Sequence, residues 1–218
     1  MREILKTASA AGLLLLLMSG YCLSAQKAVI QTSEEQELKV SATLGNLMTA
    51  YNGELNAREK YLAFAAKAEE EGFLKAAQLF KAAALSKEVH AAKRAELIKS
   101  LGDTPKADIR KQTVRSTKEN IAEAIKLENY ETASLYPGFL SQAGKDDIRG
   151  AVLGFNSAIK VGAGRKKLFI EAQNNLASWK QPSAGFYVCR VCGNLVKTID
   201  FEYCPICKVP SSEFTTVK

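Results

Sequence analysis

Near the end of the chain, Cys189, Cys192, Cys204 and Cys207 form two Cys-x-x-Cys pairs separated by eleven residues. Two thiolates of one such turn converge on a single ion, and two turns about a short hairpin complete a tetrahedral shell of sulfur that suits Zn(II) or a single iron. Zinc would make the ribbon structural, whereas iron would make it a one-electron carrier. Two disulfides are the competing reading for an exported chain. Gly193 and Pro205, just after the second and third cysteines, favour the metal ribbon.

The 218 residues are 47% hydrophobic and 24% charged, enough for one sizeable core and a small appendage. Residues 1–25 read as a signal peptide: Arg2 and Lys6, an apolar run from Ala8 to Met18, then small residues before a cut near Ser24 or Ala25. This run is short of the roughly 20 residues of a membrane-spanning helix. Attachment to a membrane therefore requires that the leader be retained or that Cys22 carry a lipid, although Tyr21 stands where lipoprotein sites have a small residue. The expected location is the periplasm or cell envelope. Loss of the leader removes Arg2, Glu3 and Lys6, and the formal charge falls from +7 to +6. That excess is spread along helices without aromatic interleaving, so no nucleic-acid partner is expected. The fifth cysteine is in the leader, which leaves the mature body no thiol outside the ribbon.

The elements that must position these groups are helices. From Glu37, apolar residues recur at three and four positions until Gly72, and a second helix runs from about Phe73 to Ser100. A third opens after Ser116, whose spacing to Glu119 is that of a capping box, and runs past Pro137, which should kink it or interrupt its hydrogen bonding. The fourth spans about Asp146 to Trp179, and Gln181 to Gly185 form a linker. Helices of this length with short joins and one longer connection, Gly102 to Arg115, make a four-helix bundle.

Four segments then fall in the order seen in rubrerythrins: Gly53 to Tyr61, Glu88 to Arg94, Glu128 to Phe139, and the cysteine ribbon. The resemblance covers roughly residues 40 to 218. It implies a mainly α chain, with a ferritin-like four-helix bundle at 37–180 and a small rubredoxin-like metal ribbon at 186–218. It also implies a di-iron carboxylate site in the bundle, peroxide reduction fed by the cysteine-bound iron, and a homodimer. Carried over by position, Glu54 matches the first-helix ligand, His90 the second-helix histidine, and Glu128 and Glu131 the third-helix pair.

The rest of the pattern is missing. Lys87 stands three residues before His90, where the family has a bridging Glu; Glu88 is adjacent but turned about 100° away. On the fourth helix the family's Glu-x-x-His falls on Gly162 and Arg165, and His90 is the chain's one histidine. A di-iron centre is therefore not expected, and Lys87 and Arg165 are expected to neutralise the buried carboxylates instead. Tyr51, Tyr61, Tyr130 and Tyr136 read as core aromatics.

The expected function is one-electron transfer through an iron held by the four cysteines, linked to oxidative-stress defence, with electrons from an external protein donor that the sequence does not name. Peroxidase activity is not expected of a bundle without its bridging carboxylates. The alternative is a non-catalytic structural or binding module with zinc in the ribbon. Bundle and ribbon are expected to have separate cores.

Overall fold

The computed structural model describes residues 42–218. The leader, Cys22 and the start of the first helix lie outside the described residues. Helix α1 takes in residues 42–70, and a turn at Gly72 (φ 76°) leads to α2, Leu74–Ser100. Helix α3, Thr117–Tyr130, begins at the expected capping box: Ser116 accepts from the Glu119 amide while the Glu119 carboxylate accepts from the Ser116 amide. It passes through a π-helical turn, Glu131–Leu135, into α4, Tyr136–Lys145, with Pro137 in the first turn. The interruption foreseen at Pro137 thus takes the form of a widened turn just before it, which leaves no proline amide to be satisfied. Helix α5, Arg149–Asn174, stops short of Trp179, which sits in a 3₁₀ turn, Leu176–Lys180.

Each rod of the bundle reads apolar, then charged, then apolar. On α1 the order is Leu47, Glu54, Phe64; on α2 it is Phe80, Lys87 with His90 and Arg94, Ile98; on α5 it is Phe155, Arg165, Phe169. Antiparallel packing brings the charged stretches to one level. Two hydrophobic clusters therefore close the bundle above and below a buried polar layer. One is built around Tyr61, Phe64, Phe80 and Phe169, the other around Leu47, Ile98 and Phe155. Burial of such side chains contributes about 1.5–3 kcal/mol each, which offsets the cost of the ionic layer between them.

Residues 103–115 cross between α2 and α3 as an extended strap. Asn52 and Asn56, one turn apart on α1, fasten it by accepting from the amides of Asp108 and Arg110 and donating to the carbonyls of Lys106 and Asp108.

The ribbon is a three-stranded antiparallel sheet in the order β2 (Leu195–Val196), β1 (Phe186–Cys189), β3 (Phe214–Val217). Its core is not separate. Phe186, Val188 and Leu195 belong to the same buried cluster as Phe80, Phe169 and Trp179 of the helical part, so the apolar half of the bundle is completed by the sheet. The linker is only five residues, which keeps β1 against α2.

Candidate metal centre

The two cysteine turns are built alike. The Gly193 amide donates to the Cys189 carbonyl (2.8 Å), and the Lys208 amide donates to the Cys204 carbonyl (2.9 Å). Gly193 and Lys208 both take the left-handed conformation, at φ 74° and 64°. Each turn ends in a strand-like bond, Cys189 to Asn194 and Cys204 to Val209. The four sulfurs lie within 4.8 Å of one another, with Cys189 to Cys207 at 3.8 Å and Cys192 to Cys204 at 3.6 Å. Metal–sulfur bonds of about 2.3 Å set a tetrahedral edge of about 3.8 Å, whereas a disulfide requires about 2.05 Å. The spacing fits a tetrathiolate metal cage.

The charge at the sulfurs points the same way. The Cys192 thiol and the amides of Cys192 and Val191 hydrogen-bond to the Cys189 sulfur and hold it down at about 5, while the same contact and burial push Cys192 up. Four thiolates within 4.8 Å of one another would repel. A cation among them resolves this, and the Asn194 amide, 3.9 Å from the Cys204 sulfur, supplies a further positive dipole.

The bundle's polar layer lies directly beneath. Arg165 grips Glu128 with both edges of its fork, Nε to Oε1 and Nη2 to Oε2, each 2.9 Å. Lys87 is fully buried and stands amid three carboxylates: it bonds Glu131, and its Nζ is 3.2 Å from Glu54 and 3.8 Å from Glu128. Arg94 approaches Glu54 at 3.2 Å. Tyr61 donates to Glu128 (2.8 Å) and Tyr136 to Glu54 (2.7 Å). The three carboxyl groups of Glu54, Glu128 and Glu131 thus face the three cations Lys87, Arg94 and Arg165.

Burial would neutralise these acids, but for two of them charge wins. Lys87, His90 and Arg94 hold Glu54 well below its ordinary value, and Arg165 with Lys87 holds Glu128 down. Glu131 goes the other way, raised to about 7 because burial and the repulsion of Glu54 and Glu128 outweigh Lys87. Burial works against the Lys87 ammonium, yet Glu128, Glu131 and Glu54 outweigh it and keep it charged. His90 is lowered, by burial first.

Two contacts join this layer to the ribbon. His90 sits between Glu54 (Nδ1, 3.1 Å) and the Cys192 carbonyl (Nε2, 3.0 Å). Ser86 donates to the Gly193 carbonyl and accepts from Arg165 at 2.7 Å. A Cβ on Gly193 would stand 2.9 Å from the Ser86 carbonyl oxygen and 3.1 Å from the His90 ring. Glycine is required there twice, for the turn and for the approach of α2.

The sequence model of the rubrerythrin family matches residues 45–153. Nigerythrin of Nitratidesulfovibrio vulgaris is 31% identical over 182 residues, covering 83% of this chain and 89% of that protein. The chain belongs to the rubrerythrin family. Rubrerythrin-2 of Clostridium acetobutylicum is also 31% identical, over 81% of this chain and 97% of that one. The structure of nigerythrin in a fully reduced, all-ferrous state superposes with a TM-score of 0.73 at 32% identity, over 80% of this chain and 86% of that chain. The fold is accordingly the ferritin-like bundle with a C-terminal cysteine cluster consistent with a rubredoxin-like domain.

Within this rubrerythrin-family chain, Glu54, His90, Glu128 and Glu131 do converge, although ammonium and guanidinium groups lie between them. Among the described residues, the four cysteines are the group of His, Cys, Asp or Glu whose donor atoms come together tightly enough for a metal ion. Glu88 is exposed and pairs with Arg58 instead, as its 100° offset requires. Sequence reasoning missed Arg94, although Lys87, His90 and Arg94 at i, i+3 and i+7 share one helix face. It also gave the tyrosines packing alone: Tyr61 and Tyr136 are hydrogen-bonded within the polar layer, and Tyr130 is not core but 54% exposed.

Proposed function

We propose that this protein is an exported, iron-binding redox member of its family that passes single electrons through a four-cysteine centre, with the bundle's di-iron site replaced by ion pairs. Iron in the ribbon is supported by the sulfur geometry and by the relatives, since nigerythrin is known in an all-ferrous state. When bound, iron held by four thiolates supplies reversible one-electron transfer. The chain's own part is to hold Cys189, Cys192, Cys204 and Cys207 at cage spacing, to offset their charge with amides, and to fix the ribbon on α2 through His90 and Ser86.

One observation carries the reading of the bundle. Lys87 stands among the carboxylates where a divalent ion would have to bind, and Arg165 takes both oxygens of Glu128. Gly162 leaves room for Thr132 and for the Glu128 carboxylate that Arg165 holds. A Cβ there would lie 2.6 Å from the Thr132 methyl and 3.1 Å from Glu128 Oε2, so a bridging Glu at 162 is excluded unless Thr132 and Glu128 move. With Glu54 and Glu128 ionised, Glu131 raised to about 7, and three protein cations facing them, the layer has no need of metal charge. Two-electron peroxide reduction is accordingly not proposed for the bundle. A role in oxidative-stress defence would lie in handing single electrons onward, received from a separate donor protein in the envelope.

Elemental analysis and visible absorption of protein purified from its own host test this reading. About one iron per chain with a red ferric-thiolate colour is expected. Three irons per chain would overturn the ion-pair reading. One colourless zinc would instead leave a structural ribbon on a non-catalytic bundle.

A further inference from the structure

The strap at residues 103–115 has two edges, and α1 uses one of them. On that side Asn52 and Asn56 accept from the amides of Asp108 and Arg110 and donate to the carbonyls of Lys106 and Asp108. Asp108 thus directs both its N–H and its C=O to α1, as every second residue of an extended strand does toward one neighbour. The residues between, Ala107, Ile109 and Lys111, present their backbone groups to the opposite side. Among the described residues, no acceptor meets these three amides. All three residues are exposed, Ile109 by 51%. An open strand edge of this kind is a template for another strand.

The side chains select which strand fits. In an antiparallel pair centred on Ile109, Ile109 stands opposite itself, Asp108 opposite Arg110, Ala107 opposite Lys111 and Lys106 opposite Gln112. Opposite charges meet, no like charges do, and an exposed isoleucine gains an apolar neighbour. Asp108 and Arg110 already lie on one face of the strap, 3.5 Å apart, with side chains 72% and 80% exposed, so they can exchange partners without disturbing α1.

The backbone demands the same register. Ala107, Ile109 and Lys111 then exchange hydrogen bonds, while Asp108 and Arg110, whose backbone groups are held by α1, form the pairs whose side chains approach most closely. A shift of one residue would set free groups against groups already taken. A shift of two would oppose Arg110 to Arg110 or Asp108 to Asp108. Pro105, which has no N–H, ends the ladder opposite Thr113.

We propose that the free edge of the strap pairs antiparallel with the same edge of a second copy of this chain, with Ile109 on the twofold axis and Asp108 against the partner's Arg110. Such a contact uses the same patch on both copies and closes at a dimer.

Sedimentation equilibrium of the metal-loaded protein, up to about 100 μM, is the test. A monomer–dimer equilibrium is expected. Ile109→Pro removes an amide that α1 does not use and suits an extended backbone, so it should weaken the dimer at least roughly tenfold and keep the native helical signal. Asp108→Arg and Arg110→Asp each set like charges opposite one another and should each weaken the dimer as well. Mixing these two variants restores both opposite-charge contacts, and mixed dimers should form. A dimer built elsewhere on the bundle would be indifferent to all three substitutions. A native chain that stays monomeric, a dimer unchanged by Ile109→Pro, or charge variants that do not recover on mixing would each overturn the proposal.

Discussion

Arg165 and Lys87 are single residues on which the interior depends, because removing either leaves a carboxylate buried without its counter-charge. Replacement of Arg165 by Met keeps the volume but strands Glu128, and a loss of about 3–5 kcal/mol is expected in urea unfolding. The pH dependence has a definite sign. Glu131, raised to about 7, holds its proton in the folded chain more tightly than in the unfolded one, so its contribution to stability falls as pH rises from about 4.5 to about 7. Glu54 and Glu128, both lowered, contribute stability that is lost as pH drops below the ordinary carboxylate range. His90, also lowered, adds stability as pH rises toward its ordinary value of 6.5, which opposes Glu131 in the same window. Glu131→Gln should therefore raise the urea midpoint relative to the native chain increasingly from about pH 5 to about pH 7. A constant difference would count against the shift.

At the scale of elements, the strap over α1 is held by paired amide contacts rather than by burial, since Ile109 and Val114 within it are exposed. Asn56→Ala removes the acceptor of the Arg110 amide and the donor to the Asp108 carbonyl. Faster hydrogen exchange at the Arg110 amide is expected, with about 1 kcal/mol lost and the amides of α2 unaffected. Sequence alone reached this level well for the helices, because periodicity, Gly72 and the Ser116 capping box are local signals. It also reached Lys87 and Arg165 as counter-charges, because their offsets from His90 and Phe169 fix their faces. It did not reach the strap's fastening, which needs Asn52 and Asn56 to meet a chain about fifty residues away. Nor did it find Arg94, whose partner Glu54 lies on another helix.

Across the whole molecule, the comparison of Gly193 with Lys208 is instructive. Both occupy the same left-handed corner of the same turn, yet a long side chain is tolerated at Lys208, while Gly193 is pressed against α2. Gly193→Ala should lift the ribbon from the helix, and Trp179, the chain's one tryptophan and 1% exposed against Phe186, should shift its emission to the red. Lys208→Gly should leave that emission unchanged. The shared cluster of Phe80, Phe186 and Trp179 was hidden from the sequence because a five-residue linker reads as a boundary whether or not the two sides touch. Its consequence concerns the ion as much as the fold. Four thiols without an ion hold the knuckles less firmly than a bonded cage would, and the sheet that those knuckles anchor covers Phe80, Phe169 and Trp179. Metal-stripped protein is accordingly expected to be cut by a protease sooner than loaded protein, with the first cuts on the aromatic end of the helices.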